Sequence, residues 1–207
     1  LLLVRDAAGL AAWEVPPAES FRLRWYRADP TLSSLALHPA EQSVVCGRLV
    51  QGQTEIVELD TATGELLDVI ASIPANLLSG ISLSRDGSLL AVVDNAGRAK
   101  LFERPAVTHT WRPRSMAGLE DRATGVVCFS PQSDRLITSD STKRCFLNWD
   151  LPGQLSPQEF GFHESEVMGC AFGNDDRLLS WGLGDTIQIW DVSNGILDRS
   201  VTLGWCP

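Results

Sequence analysis

Short apolar runs alternate with polar turns along the whole chain, and no stretch of helical length carries apolar residues at a 3.6-residue spacing. One apolar signature recurs four times: Leu32-x-x-Leu35-x-Leu37, Leu78-x-x-Ile81-x-Leu83, Thr124-x-x-Val127-x-Phe129 and Val167-x-x-Cys170-x-Phe172. Thr124 is its one non-apolar member. Each copy predicts a short strand, and each runs into a turn built from residues that favour one: His38-Pro39-Ala40-Glu41, Ser84-Arg85-Asp86-Gly87, Ser130-Pro131-Gln132-Ser133 and Gly173-Asn174-Asp175-Asp176. A second apolar run follows each turn, as in Val44-Val45-Cys46, Leu89 to Val93, Leu136-Ile137-Thr138 and Leu178-Leu179-Ser180. A third strand then ends in an apolar–acidic pair.

Those pairs are Trp13-Glu14, Leu59-Asp60, Phe102-Glu103, Trp149-Asp150 and Trp190-Asp191, separated by 46, 43, 47 and 41 residues. A polar turn and a fourth strand come next, for example Ile196 to Leu203. Four short strands per unit of about 40–45 residues is the pattern of a propeller blade, whose sheet buries its faces only against neighbouring sheets. The expected fold is therefore all-β. It is one propeller domain over residues 1–207, with units at about 1–29 (partial), 30–73, 74–117, 118–163 and 164–207. The first unit lacks an innermost strand, and Trp205-Cys206-Pro207 reads as the start of another. Four full blades and a partial one point to a piece of a larger ring completed by further sequence. The alternative is an open ring, or one that a partner completes.

Composition narrows the function more than the fold. Seventeen basic and 26 acidic residues leave a net charge of −9, which disfavours a nucleic-acid partner because phosphate binding needs a cationic surplus. The cysteines Cys46, Cys128, Cys145, Cys170 and Cys206 are odd in number, widely spaced and free of any C-x-x-C, so they read as reduced thiols in a cytoplasmic protein. No apolar run reaches the roughly 20 residues of a membrane span.

At the Trp-Asp pairs the chain resembles the WD-repeat propeller family. The last unit carries the likeness best, with His163, Val167, Phe172, Ser180 and Trp190-Asp191 in order. The unit before it matches at Ser130-Pro131, Ser139 and Trp149-Asp150. The family's His-Ser-Asp-Trp hydrogen-bond tetrad is incomplete. In the last unit its Asp position falls on Gly184, with Asp185 one residue late, and in the preceding unit it falls on Lys143. Trp13 marks the repeat near the N-terminus.

No G-x-S-x-G, P-loop, H-E-x-x-H or EF-hand pattern occurs. His38 and His163 sit at repeat positions, and His163-Glu164-Ser165-Glu166 reads as a solvated loop before it reads as metal ligands. The basic–aromatic run Trp111-Arg112-Pro113-Arg114 reads as a solvated outer strand with a proline edge guard. The chain is thus expected to be non-catalytic, without cofactor or metal, and to present propeller loops to a protein or peptide partner. The alternative is a regulatory or sensor propeller of a larger enzyme or nucleotide-switch protein. The resemblance implies contact positions at Thr31, Ser33, Leu77, Ser79, Ala123, Gly125, Glu166 and Met168, flanking the inner-strand starts. It implies a second set at Thr142 and Leu183.

Overall fold

The computed structural model describes residues 2–5, 7–14, 22–40, 42–74, 77–119, 125–153, 156–173, 176–184 and 186–204. Glu41, Ala123, Thr124, Asn174, Asp175, Asp185 and Trp205-Cys206-Pro207 lie outside them. The described residues form nineteen β-strands and no helix, in five antiparallel sheets. Two compact units, Leu1–Leu78 and Ser79–Pro207, divide the chain.

In the first unit, β1 (Leu2–Arg5), β2 (Leu10–Glu14) and β3 (Arg22–Arg27) make a three-stranded sheet in that order. The four-stranded sheet after it runs β4 (Leu32–Leu37), β5 (Ser43–Val50), β6 (Gln53–Asp60) and β7 (Leu66–Ile73). Leu10 from the first sheet packs with Leu32, Val44, Cys46, Val57 and Leu59 from the second, and Leu3, Trp25 and Leu35 close over them. Trp25 also donates its indole N–H to the Thr61 carbonyl at 2.8 Å. The two sheets thus share one core, since neither buries its apolar face alone.

Three four-stranded sheets follow. The third sheet comprises β8 (Leu78–Leu83), β9 (Leu89–Asp94), β10 (Ala99–Glu103) and β11 (Arg112–Arg114). The fourth comprises β12 (Val127–Phe129), β13 (Arg135–Asp140), β14 (Cys145–Asp150) and β15 (Gln158–Phe160). The fifth comprises β16 (Val167–Phe172), β17 (Arg177–Gly182), β18 (Thr186–Asp191) and β19 (Ile196–Thr202). Leu89, Ala91, Val93 and Leu101 pack against Val127, Phe129, Leu136, Leu147 and Trp149, so the third sheet stacks on the fourth. Val126, Cys128, Ile137 and Phe146 on the fourth sheet's other face meet Val167, Leu178 and Trp190 of the fifth. Alternation along β13 explains this double burial, because successive side chains point to opposite neighbours.

The turns are fastened by the side chains that the sequence marks. Ser84 Oγ accepts the Leu89 N–H at 2.9 Å, and Ser130 Oγ accepts that of Arg135 at 3.0 Å. At two of the strand ends the acidic member of the pair caps the next turn. Asp60 Oδ1 accepts the N–H groups of Ala62 and Thr63, both at 2.7 Å, and Asp191 Oδ1 accepts that of Ser193 at 2.9 Å. Gly64 and Gly195 complete those turns at φ 74° and 71°, a region costly for a side chain with Cβ. The basic–aromatic run is β11, the edge strand of its sheet. Its groups are engaged within the chain: Arg112 Nε donates to Glu103 at 2.7 Å, Arg114 Nη2 reaches the Leu151 carbonyl at 3.0 Å, and Arg104 covers the Trp111 ring at 4.7 Å.

Candidate functional site

One buried polar cluster holds the last sheet together. Ser180 is fully buried, and its hydroxyl receives the Trp190 indole N–H at 2.8 Å and meets His163 Nε2 at 2.6 Å. The His163 backbone N–H donates to the Arg144 carbonyl at 2.9 Å, which ties this cluster to the fourth sheet. Burial holds the His163 imidazole below its ordinary pKa of 6.5, so the ring sits neutral between Phe146 and Trp190. Asp185, one residue beyond the family's acidic position, lies outside the described residues.

The register shows what replaces this cluster elsewhere. Leu178 pairs with Trp190, and Ser180 stands two residues further along the same face. The equivalent set in the fourth sheet is Leu136, Trp149 and Thr138. Trp149 donates its indole N–H to Thr138 Oγ1 at 2.9 Å, so the repeat hydroxyl there is Thr138 and not Ser139. The β13–β14 hairpin is one residue longer than β17–β18, so counting back from the Trp lands one position late, on the opposite face. In the third sheet the same places hold Val92 and Phe102, and in the second Cys46 and Leu59. All four residues are buried and apolar, so these sheets carry no Trp–hydroxyl hydrogen bond at those places.

Ser139 has a different task. Its Oγ accepts the N–H groups of Gly125 at 3.1 Å and Val126 at 3.0 Å, fixing the chain as it enters β12. That entry forms one wall of a groove of about 380 Å³ within the second unit. Ser79, Asp94, Asn95, Ala96 and Gly97 line one side, and Ser141, Glu166, Val167 and Met168 line the other. The wall is rigidly built. Ser79 Oγ donates to the Asp94 carbonyl at 3.0 Å. Asp94 Oδ1 accepts the N–H groups of Ala96 and Arg98 at 2.8 and 3.0 Å, while Oδ2 meets Arg98 Nε at 2.8 Å. Opposite, the Glu166 carbonyl takes the Leu183 N–H at 3.3 Å. On this fixed frame Glu166 and Met168 are exposed, Met168 by 53%.

The structure therefore gathers four of the sequence-marked positions, Ser79, Gly125, Glu166 and Met168, into one groove. Thr142 and Leu183 are exposed in neighbouring hairpin turns and do not line it. Thr142 is held by Asp140, whose Oδ1 accepts its N–H at 3.0 Å and its hydroxyl at 2.6 Å. Burial pushes the Asp140 carboxyl pKa up, but the Thr142 hydroxyl and the Lys143 and Thr142 N–H groups outweigh it and hold that carboxyl below its usual value. Thr31, Ser33 and Leu77 belong to the first unit. Ser33 is buried, with its hydroxyl accepting the Leu78 N–H at 3.4 Å, and Thr31 bonds Asp29 through its own N–H and hydroxyl. Leu77 is exposed. The groove wall Asp94-Asn95-Ala96-Gly97 was legible only as a turn, because nothing in its spacing tells which end of the sheet it occupies.

Among the described residues no group of three or more His, Cys, Asp or Glu is placed to hold a metal ion. Repeated four-stranded antiparallel sheets, stacked face to face with Trp-Asp strand ends, are consistent with the architecture of a WD-like β-propeller. No protein-family model matches the chain. Over 81 residues, 38% of its length, it is 43% identical to the U4/U6 small nuclear ribonucleoprotein PRP4-like protein of Arabidopsis thaliana. The match spans 13% of that relative. Sheets and similarity together fit a WD-repeat propeller.

Proposed function

We propose that this chain is a non-enzymatic interaction module that docks an extended segment of a protein partner in the groove between the β9–β10 turn and the starts of β12 and β16. The observation that carries this reading is the groove itself: pinned backbone along one side, exposed Glu166 and flexible Met168 along the other. A rigid scaffold with adaptable side chains at its rim suits peptide recognition, and a thioether repacks readily around different apolar contacts. The Arabidopsis relative is by its name a ribonucleoprotein component. For this chain a net charge of −9 supports a protein rather than an RNA or an acidic membrane as the partner. The four described cysteines are free thiols, which supports a reducing compartment such as the cytoplasm.

The test is a peptide selection against the immobilised chain, followed by affinity measurement on Met168→Asp and Glu166→Arg variants. Selected peptides are expected to lose at least about tenfold in affinity, roughly 1.4 kcal/mol, while both variants melt like the parent. A selection that returns no binder, or binders indifferent to both substitutions, removes the groove as the docking site.

A further inference from the structure

The inner strands of the fourth and fifth sheets bring two thiols together. Cys128 Sγ on β12 and Cys170 Sγ on β16 lie 3.0 Å apart, although the residues are 42 positions apart in the chain. A disulfide needs an S–S distance of about 2.05 Å, so a movement of about 1 Å would join them. Cys128 is buried and Cys170 is partly exposed. Both line an open hollow of about 430 Å³, walled also by Ile81, Val127 and Phe172, through which a small oxidant can reach them. Cys46 and Cys145 are free and buried, and burial pushes the Cys46 thiol up to about 12.

We propose that Cys128 and Cys170 are a modification site at which a peroxide forms a reversible disulfide between two neighbouring sheets. The accessible Cys170 reacts first. Its thiolate sulfur attacks one peroxide oxygen, the O–O bond breaks, and the departing hydroxide takes a proton and leaves as water. Cys170 is then a sulfenic acid. Cys128 gives up its proton and attacks the Cys170 sulfur, the S–O bond breaks, and the released hydroxide takes that proton as the second water. Two thiols and one hydrogen peroxide become one disulfide and two waters. The hydrogen bond to Cys170, together with burial, holds the Cys128 thiol well above its ordinary range, which suits the resolving partner and not the first nucleophile. Met168 stands two residues before Cys170 on β16, so the bond also fixes the strand that carries the groove's apolar rim.

The experiment exposes the native 207-residue chain to a modest excess of hydrogen peroxide. Remaining thiols are then alkylated in denaturant, and the digest is analysed by mass spectrometry. The expected product is a Cys128–Cys170 cross-linked peptide that dithiothreitol reverses, with Cys46 and Cys145 still alkylated. The oxidised chain should melt several degrees higher, because the bond closes a long loop. Cys170→Ser should abolish the cross-link and leave Cys128 open to alkylation. The proposal is overturned if Cys170 runs on to sulfinic acid, if both thiols stay free, if other cysteines pair instead, or if the same pair forms as fast in concentrated urea.

Discussion

Removing the Ser180 hydroxyl should cost more than removing its counterpart in the neighbouring sheet, and the structure gives the ratio. Ser180→Ala leaves two buried nitrogens without their partner, the Trp190 indole N–H at 2.8 Å and His163 Nε2 at 2.6 Å. An orphaned buried polar group costs about 1–3 kcal/mol, so the pair predicts a loss of about 2–6 kcal/mol. Thr138→Val keeps the side-chain shape and orphans one donor, the Trp149 indole N–H at 2.9 Å, which predicts about 1–3 kcal/mol. Val92→Thr at the equivalent place in the third sheet adds a hydroxyl diagonally opposite Phe102, with no Trp to satisfy it, and should also destabilise by about 1–3 kcal/mol. Urea unfolding followed by circular dichroism measures all three. The midpoint should fall with an unchanged slope, and the Ser180→Ala melt should drop by roughly 5–15 °C. A Ser180→Ala loss under about 0.5 kcal/mol, or a Thr138→Val loss exceeding it, refutes the assignment of these hydroxyls as hydrogen-bond hubs.

Trp190→Ala should cost about 3–5 kcal/mol, because the ring is 4% exposed and packs edge-on to Phe146 and Phe160; a loss below about 1 kcal/mol would mean the sheets do not stack here. Since burial lowers the His163 pKa, the unfolded chain binds the extra proton. Stability is full above the ordinary value of 6.5 and falls as pH drops through it toward the depressed folded value. Melting midpoints measured across that window should decline in the parent chain and flatten in His163→Gln, and a flat parent profile contradicts the neutral, buried ring. Gly161→Ala should destabilise by roughly 1–2 kcal/mol, since φ is +64° and the new Cβ would sit 3.1 Å from Phe146; an unchanged urea midpoint would show that the turn relaxes freely.

Short apolar runs between polar turns made the sheets legible, because each run has strand length and is buried between neighbouring sheets, as in β9, while the turns carry Gly, Pro, Asp or Ser where the backbone needs them. Face assignment was less legible. Ser139 and Thr138 are adjacent, and only the length of the hairpin tells which one meets Trp149, a property of register and not of local sequence. The contact positions divided for a similar reason. Ser33 and Ser79 are equivalent in the repeat, yet one is buried and the other borders a groove, because their neighbours across the sheets differ. The Cys128–Cys170 approach left no trace in spacing, since the two residues meet only when two sheets stack.

His163 connects more than its own cluster. Its backbone holds the β13–β14 hairpin through Arg144 while its ring holds β17 through Ser180. The fifth sheet therefore cannot detach without breaking a bond that belongs to the fourth. In hydrogen exchange, the amides of β13–β14 and β17–β18 should open as one cooperative unit rather than as two separate hairpins. A single residue in a connecting loop would then turn two hairpins into one unfolding unit.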